Sequence, residues 1–174
     1  MTNTKRAWTG LVAGAAGGLV GALVMNQIPP LWSAVYKSFC EAEGCGHQRE
    51  VGNEDVEATR NAAQAIAGHL LDRTLSEQEL DTAGPALHYA IGALMGALYG
   101  VASHRMRILR AGRGTVYGGV VWLLGDEIGM PALGLLGPLK KTPLSSQLSA
   151  LGSHVAYGFA TDFVSRLVLG NNRT

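Results

Sequence analysis

With 174 residues the chain is one domain by length, and its 14 Lys+Arg against 13 Asp+Glu leave a net charge of +1 that, as an average, points to no partner. That balance, with no nucleic-acid motif in the sequence, excludes a basic nucleic-acid binder. Mean hydropathy is only +0.15, but 24 glycines and a long polar connector dilute it, so the segments carry the information.

Lys5 and Arg6 precede the first uncharged run, 7–28, which at roughly 1.5 Å per residue covers about 33 Å and suits the hydrocarbon layer. It is longer than a signal-peptide core and ends in Asn26-Gln27-Ile28-Pro29-Pro30, without a small-residue cleavage pattern, so retention as an anchor is expected. Further spans are expected at about 84–104, 112–130 and 146–169. The third carries Asp126 and Glu127 near its end; the fourth carries Asp162 and Arg166, an i, i+4 pair expected to form a structural ion pair. A soluble bundle with four such stretches would have little polar surface left.

Charge sorts by position. Every acid outside the apolar runs lies between Glu41 and Asp81, while Arg105, Arg107, Arg110 and Arg113 crowd the connection between the second and third spans. An even number of spans puts Lys5, Arg6, this cluster, Arg166 and Arg173 on one side. The positive-inside rule makes that side the cytoplasm, with 29–83 and 131–145 outside. The cluster also suits anionic lipid headgroups.

In the outer connector, Pro29-Pro30 is expected to end the first helix, with Trp32, Tyr36 and Phe39 as interfacial anchors. Val56, Ala63, Ile66, Ala67 and Leu70 recur near helical spacing and predict an amphipathic surface helix. Ser76 and Glu79 form a capping-box pattern for a further short helix that Gly84-Pro85 is expected to end. Cys40 and Cys45 map to the same side, where a local disulfide is expected. Cys45-Gly46-His47 departs from the haem-attachment pattern, and a metal site with His47 and His69 has no supporting motif.

Burial from water cannot drive helices together in lipid, so small residues that permit close backbone approach mark packing seams. Gly10, Gly14, Gly17 and Gly21 fall in one strip of the first span, Gly92, Gly96 and Gly100 in one of the second, and Gly114, Gly118 and Gly125 in one of the third; GxxxG spacing recurs throughout. The first and third spans match at an offset of 104. His88/Gly92 in the second parallels His154/Gly158 in the fourth, so the chain reads as two similar helical hairpins.

Counted inward from the outer ends, Asn26, His88, Asp126, Glu127 and His154 reach one level in the outer half of the bilayer. A carboxylate at mid-depth costs about 2.5 to 3.5 kcal/mol on insertion scales, which pairing or a wet cavity offsets. Helical phase places Asp126 about 80° and Glu127 about 180° from the Gly118/Gly125 strip, so Asp126 is expected in the interior and Glu127 at the interface or against another subunit. Three readings stand beside one another: hydrogen bonds that fix helix register, a proton-responsive site of histidines beside a carboxylate, and a metal site without a local motif. No nucleophile, phosphate loop or Rossmann pattern occurs, so no catalysis, cofactor or metal is expected.

The run from His88 to Gly100, the block Trp122-Leu123-Leu124-Gly125-Asp126-Glu127 with Pro131-Ala132-Leu133-Gly134, and His154-Val155-Ala156-Tyr157-Gly158 together resemble the YagU-like family of small bacterial inner-membrane proteins. The resemblance implies an inner-membrane location and a link to acid tolerance, and offers no catalytic residues.

The expected fold class is therefore all-α: a polytopic membrane protein with four transmembrane helices, glycine packing seams, cytoplasmic termini and amphipathic helices in the outer connector. The leading functional expectation is a non-enzymatic, proton-responsive or proton-conducting protein in envelope or acid-stress physiology. An accessory subunit packing its glycine seams against a larger membrane complex is the alternative, and a small-solute transporter acting as a homo-oligomer is third. The bilayer is the expected partner in each.

Overall fold

The computed structural model describes residues 3–43, 54–134 and 144–171. Among them the elements are helical only, in the order α1 (Asn3–Met25), α2 (Ile28–Glu43), α3 (Glu54–Leu71), α4 (Glu77–Ala102), a 3-10 segment (Arg107–Gly114), α5 (Thr115–Trp122), a π-helical turn (Leu123–Gly129), α6 (Met130–Ala132) and α7 (Leu144–Asn171). Pro29 and Pro30 do not end a helix as expected. They open α2, where a first-turn residue has no intrahelical N–H bond to lose, and the chain turns at Asn26-Gln27 before them.

Ser76 caps α4: its side chain accepts from the Glu79 N–H, and the Glu79 carboxylate accepts from the Ser76 N–H at 2.9 Å. With these bonds and the adjacent Arg73 guanidinium, the Glu79 carboxyl falls from its ordinary 4.5 to about 2. A depressed carboxyl pKa supplies stability that is present above its ordinary value and lost as pH falls through the folded one. The first turn of α4 is therefore expected to loosen between about pH 4.5 and 2, read as faster amide exchange at Glu79 and Leu80. Ser76→Ala is expected to cost about 1 kcal/mol at neutral pH.

The helix so begun is not short. It runs through Gly84 and Pro85 to Ala102, correcting the expectation of a stop there. Arg60 of α3 holds both Glu77 and Asp81, bracing the turn that the proline weakens, and a Cβ on Gly84 would lie 3.0 Å from Arg60 Cγ. The buried face of α3 is its small one, Ala58, Thr59, Ala62, Ala63 and Ala67, whereas Ile66 and Leu70, expected on the apolar stripe, are exposed.

Four long segments pack antiparallel in the row α4, α1, α7, α5. Gly10 meets Gly100 and Gly18 meets Gly92 across α1 and α4; Gly17 and Gly21 meet Thr161 and Tyr157 of α7; Gly114 and Gly118 meet Gly158 and His154 across α5 and α7. The expected single strip on α1 is thus two seams, with Gly10, Gly14 and Gly18 toward α4 and Gly17 and Gly21 toward α7. Gly125 belongs to neither, because nothing lies within 4 Å of a Cβ built there. These contacts put Lys5, the 3-10 segment and Arg166 at one end, the arginine end, and α3 at the other. The two hairpins are not in equivalent register: Gly10 meets Gly100, yet Gly114 meets Gly158, whose counterpart is Gly92, two turns away.

The surface is inverted relative to a water-soluble bundle. α7 buries Ser149, Ser153, His154, Thr161, Asp162 and Ser165 and exposes Phe159, Phe163 and Leu167; α1 and α4 expose Leu19, Leu23, Leu94 and Leu98. Among the described residues, two stretches, not four, are long and apolar enough to cross a membrane: Ala7–Phe39, which continues from α1 into α2, and Glu77–Ala102. α7 falls short because its inner face is polar, and the third expected span is divided into α5, the π turn and α6.

Candidate functional site

α4 and α5 close the ring of helices only loosely, and between them lies a cavity of about 420 Å³. Its walls are mainly apolar, with Ile91, Met95 and Leu98 from α4 facing Val120 and Val121 of α5 and Leu124 of the π turn. Ile91, Leu98 and Leu124 are also exposed, so the cleft reaches the apolar outer surface of the bundle. Ala58 and Thr59 of α3 cover the end away from the arginines.

Three of the five polar residues singled out in the sequence line this cavity: His88, Asp126 and His154. Helical side chains lean toward the N-terminus of their own helix, and the His154 ring accordingly lies back along α7, its Nδ1 3.0 Å from the Ala150 carbonyl. The same nitrogen is 3.5 Å from Asp126 Oδ2, with His154 buried and Asp126 partly so. Asp126 reaches it from the π turn. A π-helical turn has more than 3.6 residues per turn, which shifts the phase that an α-helix would give and aims this carboxylate into the cleft. His88 packs edge-on against the Tyr89 ring, with centroids 5.5 Å apart.

The other two residues lie elsewhere. The Asn26 amide donates to the Tyr89 hydroxyl at 3.0 Å, outside the cavity lining. Glu127 is half-buried beside Asp126 and also absent from the lining, and its Oε2 has no hydrogen-bond partner among the described residues. Cys45 and His47 lie outside the described residues, as does the Cys40 side chain. Among the described residues, no group of three or more His, Cys, Asp or Glu is placed to hold a metal ion.

Below the histidines, toward the arginine end, three tyrosines fill the bundle centre. Tyr99 and Tyr117 rings are 4.7 Å apart and Tyr117 and Tyr157 are 6.4 Å apart. The Tyr117 hydroxyl donates to the Met95 carbonyl and that of Tyr157 to the Gly92 carbonyl, each at 2.7 Å. Tyr99 donates to Asp162, which is 2% exposed and also receives the Arg166 Nε at 2.7 Å. Depth and helical phase do not single out this layer in the sequence. Its signal was the dipeptide Tyr-Gly, which occurs as Tyr99-Gly100, Tyr117-Gly118 and Tyr157-Gly158: the glycine lets the backbones touch, and the tyrosine beside it spans the gap so created. Arg105, Arg107, Arg110 and Arg113 are all exposed around the 3-10 connection.

No curated protein and no solved structure matches the chain. A family model described as "Protein of unknown function (DUF1440)" matches residues 62–163, a stretch that carries His88, Asp126, His154, the three tyrosines and Asp162. By that match, which covers more than half its length, the chain belongs to the DUF1440 family.

Proposed function

We propose that this is a multi-pass inner-membrane protein of the YagU-like kind whose α4/α5 cleft responds to protons. The observation that carries the reading is the meeting of Asp126 with His154 and His88 in one cavity whose remaining walls are largely apolar. Histidine is the side chain whose charge ordinarily changes between about pH 5 and 8. Tyr99, Tyr117 and Tyr157 are the other ionisable groups on the lining. The polar level lies toward the end away from the arginines, so outer acidification would reach it first, which suits envelope or acid-stress physiology.

The inverted surface supports a bilayer setting: exposed leucines and phenylalanines on α1, α4 and α7 would face lipid, while α7 keeps its polar side chains inside. In this reading α1, α4, the α5–α6 segment and α7 cross the membrane, and the arginine end with both termini is cytoplasmic, beside anionic headgroups. Surfaces available for an oligomer or a larger complex are these apolar faces, since Gly10, Gly14 and Gly18 are occupied by α4. No reaction is assigned to the protein.

In liposomes, the protein is expected to show a pH-dependent change in tryptophan fluorescence or a proton flux between about pH 5 and 8. His88→Ala or Asp126→Asn should abolish it while leaving the helical circular-dichroism spectrum intact. An unchanged response in both variants overturns the proposal.

A further inference from the structure

The cleft has the two parts of a ligand site: an apolar body and one small polar end. Its volume, about 420 Å³, falls within the roughly 300–1,000 Å³ usual for small-molecule sites. Among the described residues on its lining, Asp126 is the one carboxylate, and no Lys or Arg faces it. The titratable groups that share the lining with it are His88 and Tyr99 from α4, His154 and Tyr157 from α7, and Tyr117 from α5. From α3 and α1 come Thr59, Ala58, Ala22 and Met25, none of which titrates. With the histidines neutral the polar end therefore carries one negative charge, and the tyrosine rings offer a cation a second favourable surface. Ile91, Leu98 and Leu124 line the cavity and are exposed on the apolar flank, so entry is from the lipid side.

From this complementarity we infer that the α4/α5 cleft binds a lipophilic organic cation, its charge against Asp126 and its apolar body along Met95, Leu98 and Val121. The inference rests on the membrane placement proposed above and names the ligand class of the same site. Protons compete with such a ligand, because protonating Asp126 removes its counter-charge and protonating His88 or His154 adds a like charge.

Tetraphenylphosphonium and tetraphenylborate, closely alike in size and shape and opposite in charge, test the assignment with the full chain in lipid nanodiscs. Saturable tetraphenylphosphonium binding is expected at pH 7.5 that weakens about tenfold or more in Asp126→Asn and falls as pH drops toward 5. Tetraphenylborate should show no binding that depends on Asp126. Equal affinity of Asp126→Asn and the parent chain, or binding of both ions alike, overturns the inference. A pH response without cation binding also overturns it and leaves the proton reading standing; Asp126-dependent cation binding without a pH response does the reverse.

Discussion

Gly96→Ala is expected to destabilise the protein by about 2–3 kcal/mol, and Gly96→Val by more, although either change would help an isolated helix. A Cβ at this position would lie 2.6 Å from Gly18 Cα and 2.7 Å from Gly18 N, as well as against the Gly14 carbonyl. These are backbone atoms, which cannot rotate away, so α1 and α4 must separate along the whole seam. Dispersion between closely spaced helices is a main source of association in lipid, and it falls off over fractions of an ångström. Gly119→Ala on α5 is the control. Nothing lies within 4 Å of its Cβ, and the gain in helix propensity should stabilise by about 0.5–1 kcal/mol. Thermal unfolding in detergent reads both, and equal shifts at the two sites would remove the close-packing account of the seam.

Arg166→Leu carries the second large effect, about 3 kcal/mol of lost stability. Asp162 is buried at 2% exposure, and its oxygens are divided between the Tyr99 hydroxyl and the Arg166 Nε. Removing the arginine strands a carboxylate in the bundle. Arg166 itself is largely exposed and has solvent or headgroups to turn to, so Asp162→Asn should cost less than Arg166→Leu. The double variant Asp162→Asn/Arg166→Leu should be more stable than Arg166→Leu alone, because the stranded charge is gone. Additive losses would show that the pair contributes nothing jointly.

Residue types told more than their directions did. His88, Asp126 and His154 stood out because polar groups in uncharged runs are expensive, and that argument needs no knowledge of fold. The close-packed glycines were legible for a similar reason. What could not be read was which neighbour each faced: Gly14 and Gly17 are less than one turn apart, yet they serve α4 and α7 respectively, since a helix held between two others needs two narrow faces. Asn26 and Glu127 lie outside the cavity, because counting residues gives a position along a helix whereas direction depends on local helix geometry. The Pro85 stop failed through a tertiary contact, Arg60 bracing the turn, that no local window contains. The Ile66 and Leu70 stripe failed because α3 approaches α4 so closely that alanines, not larger side chains, fit between them.

The π turn at Leu123–Gly129 makes the bearing of Asp126 a matter of chain length as well as residue choice. Loss of one residue after Asp126 in that stretch would tighten the helix toward 3.6 residues per turn and re-aim Asp126, while the helix beyond kept nearly its present phase because the lost residue and the tighter turn offset each other. A sister protein could thus keep every polar residue of the cleft and still hold its acid at another bearing, altered by a deletion instead of a substitution.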